Sequence, residues 1–141
     1  MHKLEIAIDV IIHATEDSSK FFEIFNEIFG LEEEDFSVSS VTGHFDNPIM
    51  IISAKITKKV AEKFLDKFLQ LLSEDQKNQI IQEIEERTAN STLHIRLNKQ
   101  DFVQRKFTFS DKDAIKIKIQ TPIYNKNDTF KVFSEIFQKA N

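Results

Sequence analysis

The chain has 141 residues, the length of one domain, and no Cys, which excludes thiol nucleophiles, Cys-ligated zinc and disulfide frameworks. Its composition is 40% hydrophobic and 30% charged, with 14 Phe but only two Gly and two Pro, which excludes disorder and predicts a core filled by Phe. Formal charge is −4 overall, yet it runs −9, 0 and +5 over residues 1–54, 55–90 and 91–141, so a basic surface suited to an anionic partner follows if the chain ends stay apart.

Leu4, Ile6, Ile8, Val10 and Ile12 fall on alternate positions with Glu5, Asp9 and His13 between them, the period of a half-buried strand. Thr15 is the expected N-cap of a helix with the apolar stripe Phe21, Phe22, Ile24, Phe25, Ile28 and Phe29, ending at Gly30. Glu32 to Asp35 then reads as an exposed acidic loop. Residues 36–41 and 49–56 predict a strand hairpin across the turn formers Gly43 to Pro48. Residues 49–52 are apolar on both faces, which places their strand either centrally in a sheet or in a subunit contact and admits a homodimer.

A helix over 58–72 carries Val60, Ala61, Phe64, Leu65, Phe68, Leu69 and Leu72 at helical spacing, and the capping box Ser73 to Gln76 opens a second one through Ile80, Ile81 and Ile84. Leu93, Ile95 and Leu97, then Ile115, Ile117 and Ile119, predict two more half-buried strands, with a short helix over 99–106 between them. Asp128 or Asn127 is the expected cap of a last helix whose inner face is Phe130, Phe133, Ile136 and Phe137. Hairpins mixed with helices predict an α+β fold in which helices cover one face of a mostly antiparallel sheet of about five strands, all in one domain. No apolar run reaches the roughly 18 residues of a membrane span, so a soluble, cytoplasmic protein is expected.

Catalytic signatures are missing: there is no HExxH, no GxSxG and no Gly-rich phosphate loop. His13 lies near Glu16 and Asp17, and His44 near Asp46, but ordinary loop hydrogen bonding accounts for both, and neither an enzyme, a metal nor a cofactor is expected. The outward positions of the last two strands are His94, Arg96, Asn98, Lys116 and Lys118, with Lys99, Arg105 and Lys106 near their ends. On one sheet face they can follow a phosphate backbone; equally, Lys is routine on the wet side of an antiparallel sheet. Lys58 and Lys59 occupy a first helical turn, where the dipole disfavours cations; they make a phosphate site there, or simply reach into water.

Three stretches carry a family resemblance. His13-Ala14-Thr15-Glu16-Asp17, Gly43-His44-Phe45-Asp46-Asn47-Pro48-Ile49 and Leu93-His94-Ile95-Arg96-Leu97-Asn98-Lys99-Gln100 together resemble the small archaeal RNA-binding proteins described as predicted exosome subunits. The resemblance implies a fold similar to that of the large-subunit ribosomal protein that binds 5S RNA, and it implies RNA and RNA-processing proteins, the exosome among them, as partners. Asp46 stands where that family commonly has Gly, and its charge disfavours a phosphate contact in the loop. His44 and Asn47 either donate to RNA or tie the loop to the 13–17 segment. The expectation is a non-catalytic RNA-binding protein using Arg96, Lys99, Arg105, Lys106, Lys116, Lys118, Lys58 and Lys59, with His44 and Asn47 as further candidates. The alternative is a protein–protein adaptor that meets its partner through the Met50 and Ile52 face or the acidic first third.

Overall fold

Alternation puts every second side chain on the same side of an extended backbone, and in the computed structural model those sides merge into one buried layer. The structure describes residues 3–42 and 47–138. β1 (Glu5–Ile12), β2 (Phe36–Thr42), β3 (Pro48–Thr57), β4 (Thr88–Ala89), β5 (Thr92–Asn98) and β6 (Ala114–Gln120) form a six-stranded antiparallel sheet in the order β2-β3-β1-β6-β5-β4. Ile8 of β1, Ile52 of β3, Ile95 of β5 and Ile117 of β6 are buried on its inner side.

The fold is α+β. The apolar stripes of α1 (Ser18–Phe29), α2 (Lys58–Leu71), α3 (Glu74–Gln82), α4 (Ile84–Arg87), α5 (Lys99–Val103) and α6 (Thr129–Gln138) join that inner side in one core. Phe does much of the joining. Phe25 of α1 meets Phe36 of β2 and Phe102 of α5 at centroid distances of 5.0 and 4.9 Å, and Phe29 stacks on Phe64 of α2 at 4.4 Å. Gly30 closes α1 in the left-handed region, φ 70°, where its own N–H and that of Leu31 reach back to the carbonyls of Asn26 and Phe25.

Several local expectations are corrected. The sheet has six strands, not five, because the two-residue β4 pairs with the start of β5 and is too short to leave a period in the sequence. Asp17, not Thr15, caps α1, its Oδ1 accepting from the Ser19 N–H at 3.0 Å; that bond and one from the Ser19 hydroxyl hold the Asp17 carboxyl below its ordinary range. Glu33 to Asp35 form a 3-10 turn. Ile84 lies beyond a break at Glu83. Asn125, not Asn127 or Asp128, caps the 3-10 turn that leads into α6, and Phe130 is 53% exposed instead of facing inward.

The two outer edges of the sheet differ. At β5, β4 pairs with Thr92 and Leu93, the 108–110 segment pairs with Arg96 and Asn98, and between them the Arg87 guanidinium reaches the His94 carbonyl at 3.4 Å. Arg87 is itself held by Glu83 at 2.7 Å and lies 5.1 Å above the Phe109 ring. At the other edge β2 has no neighbour among the described residues and no charged side chain.

Candidate nucleic-acid interface

The antiparallel register of β5 and β6 sets His94 opposite Lys118 and Arg96 opposite Lys116, so four nitrogen-bearing side chains form a block on the open face of the sheet. Period-2 spacing does this: their neighbours Ile95 and Ile117 are buried, which fixes these four outward. Arg96 and Lys116 are exposed, His94 and Lys118 half-buried. Among the described residues, Arg96, Lys116 and Lys118 have no carboxylate partner within ion-pair distance. Partial burial, then the charges of Lys118 and Arg96, hold the His94 imidazole below its ordinary pKa and so toward the neutral form.

The open face is concave on both sides of Arg96. One depression of about 510 Å³ runs over Asp9, Ile11, Lys116 and Lys118. A second, also about 510 Å³, runs over Arg87, His94 and Phe109, and Arg96 borders both. Arg87, Phe109 and Asp9 were not expected at this site. Asp9 had a signal, as an outward position of an alternating strand. The other two had none, because helix end and loop meet β5 only through the fold.

The remaining candidates go elsewhere. Asn98 continues the block, but its Oδ1 accepts from the Asp101 N–H at 2.8 Å and caps α5. Lys99 is 3% exposed; its Nζ donates to the Ile11 carbonyl at 2.5 Å and lies 2.9 Å from both Glu16 Oε1 and Asp113 Oδ1. His13 Nε2 meets the same Asp113 oxygen at 3.0 Å. Burial raises the Asp113 pKa, and the hydrogen bonds and charges of Lys99 and His13 outweigh it, leaving the carboxyl below its ordinary range. So Lys99, expected at the margin of a basic face, ties the 13–17 segment to the loop before β6 and offers no free charge.

Arg105 bonds Glu27 and lies 3.9 Å from Glu23, both on α1, so it sits on the helix layer, and those carboxylates raise its pKa further. Lys106 follows it, exposed. Lys58 and Lys59 are exposed at the start of α2, where Thr57 makes no side-chain cap and Lys58 has φ 55°. They extend β3, which lies two strands from β6, or ~10 Å across the sheet. Asn47 is exposed before β3; His44, with the rest of 43–46, lies outside the described residues. His13 and Asp17, the residues suggested to tie that loop to the 13–17 segment, bond Asp113 and Ser19. Tyr124 is 96% exposed, four residues beyond the end of β6.

A sequence model of a family described as RNA binding matches residues 5–121, a span that contains all six strands and the whole block. The chain belongs to this RNA-binding family. Among its relatives, the chain is 30% identical over 126 residues to the RNA-binding protein PAB1135 of Pyrococcus abyssi, covering 84% of this chain and 82% of that one. It is 32% identical over 102 residues to the uncharacterized protein MJ0213 of Methanocaldococcus jannaschii, covering 67% and 68%. The crystal structure of protein AF2318 from Archaeoglobus fulgidus superposes with a TM-score of 0.80 at 26% identity, over 96% of this chain and 99% of that one. The matched span holds the whole sheet, and α6 lies outside it.

Proposed function

We propose that this chain is a non-catalytic RNA-binding protein that holds the phosphate backbone of structured RNA on the open face of its sheet, through Arg96, Lys116 and Lys118, with His94 beside them. The observation that carries the proposal is the block itself: three cations converge on one concave face without carboxylate partners, whereas Lys99 and Arg105 are held by acids. Family membership and the name of the Pyrococcus relative support the same reading. The face lacks an aromatic platform among the strand positions, which favours backbone contact over stacking of single-stranded bases.

The test is retention of a structured RNA across a salt series. Binding should weaken as salt rises, and Arg96→Gln and Lys116→Gln should each flatten the log–log slope by roughly 0.7–0.9 while leaving the fold intact. Unchanged affinity and slope in the double variant would remove the block from the proposal. Lys58→Gln with Lys59→Gln, measured in parallel, reports whether the footprint crosses the sheet to the start of α2. A role beside the exosome or other RNA-processing proteins belongs to the same proposal and is tested by co-purification with and without nuclease. One observation favours the adaptor reading as a second: β2 presents an uncharged edge, unpaired among the described residues, on which another protein's strand can add. An interaction with such a protein that survives nuclease and Arg96→Gln would support it.

A further inference from the structure

Three carboxylates, Asp9, Asp111 and Asp113, line the depression beside Lys116 and have the wrong sign for a phosphate surface. Asp9 of β1 lies opposite Lys116 in the register and lines the same depression, with a half-buried side chain. It is not there to neutralise Lys116, since the two make no ion pair within 4 Å. Nor is it loose: Oδ1 accepts the Ser53 hydroxyl at 2.7 Å from β3, which fixes the carboxylate over the sheet. Among the described residues its other oxygen has no protein donor. The neighbouring carboxylates differ, because Asp113 is already occupied by Lys99 and His13, and Asp111 is exposed beyond the end of β5 and β6.

A carboxylate accepts hydrogen bonds and donates none, so beside a bound phosphate it repels unless a donor approaches it. The backbone of DNA has no donor, whereas that of RNA has one per nucleotide, the ribose 2′-hydroxyl. Adjacent strands lie about 5 Å apart, so a nucleotide whose phosphate rests on Lys116 brings its ribose within reach of Asp9. We infer that Asp9, held by Ser53, accepts a ribose 2′-hydroxyl and is the residue that makes this face select RNA over DNA. The inference rests on the phosphate-binding reading of the block and adds a specificity to it.

The experiment compares the wild-type protein, Asp9→Ala and Asp9→Asn on three matched hairpins of one sequence: RNA, 2′-O-methyl RNA and DNA. The methylated RNA keeps the phosphates and the helix form, loses the donor and gains a methyl group, and the Asp9→Ala arm separates the lost hydrogen bond from the added bulk. The wild type should bind RNA about tenfold more tightly than either of the others, the usual worth of one hydrogen bond to a charged group. Asp9→Ala should bind all three alike, with DNA bound more tightly than by the wild type because the repulsion is gone. Asp9→Asn, which keeps an acceptor without the charge, should retain part of the preference. If the wild type binds RNA and its 2′-O-methyl form equally, or if Asp9→Ala keeps the full preference, the Asp9 assignment is wrong and the phosphate reading stands. If the wild type binds none of the three at low salt, the phosphate reading itself falls. The wild-type comparison needs no variant, so it decides even if Asp9→Ala folds poorly.

Discussion

Lys99 and Arg96 stand three residues apart in the chain and differ completely in what their charge does. Lys99 is buried among the Ile11 carbonyl, Glu16 and Asp113, so replacing it with Met leaves two carboxylates facing each other without a cation. Both carboxylates are partly exposed, which reduces the penalty, and Lys99→Met should cost about 2 kcal/mol in urea denaturation while RNA affinity is retained. Arg96→Gln should do the reverse, with stability unchanged and affinity reduced. Asp113 has a folded pKa below the ordinary carboxyl value of 3.8, so its contribution to stability is present above pH 3.8 and disappears as pH falls through the folded value. Lys99→Met should flatten that acid-range loss. His94 behaves oppositely in function, being kept neutral by burial and by Lys118 and Arg96. A bound phosphate favours its protonated form, so binding takes up a proton and RNA affinity should rise as pH falls toward the lowered pKa of the free protein. His94→Gln should abolish that rise, measured as Kd between pH 7.5 and 5.5.

At the scale of elements, the passage from β5 into α5 depends on one side chain, because Asn98 ends the strand and caps the helix in the same residue. Asn98→Ala should destabilise the protein by about 1 kcal/mol, readable as a lower urea midpoint without loss of RNA binding. The strands were legible wherever one face is buried and the other wet, as in Leu93 to Leu97 and Ile115 to Ile119, since burial imposes the alternation. The capping box at Ser73 was legible because both its bonds are local, the Gln76 N–H to Ser73 Oγ at 3.1 Å and the return bond at 2.9 Å. The 2 × 2 block was half legible: its members follow from alternation, but their register does not. The ion pairs of Lys99 and Arg105 were illegible for one physical reason. Their partners Glu16 and Glu27 lie 83 and 78 residues away, and no local pattern announces a contact of that range. Phe130 was misplaced because a helical stripe one residue wider than the core it faces looks the same in sequence as one that fits.

For the whole molecule, the charge split of −9, 0 and +5 does not become two separate surfaces. β1, from the acidic third, lies directly beside β6, from the basic third, and Glu16, Glu23 and Glu27 are directed at Lys99 and Arg105. What remains uncompensated on the sheet is Arg96, Lys116 and Lys118, and a log–log salt slope of about −2 to −3 should follow. The central position of β1 also sets an order of events in synthesis. Glu5 pairs with Gln120, so one edge of the first strand made stays open until β6, the last strand, emerges. Closing a loop of that length is a slow step, and the nascent chain meanwhile presents Asp9 without Lys116. On the proposed reading RNA therefore meets no binding face on the unfinished chain; the face is completed by the same strand that completes the sheet. A chain ending at Asp113 should accordingly show open edges at β1 and β5, aggregate, and retain no RNA, which light scattering and a filter-binding measurement can check.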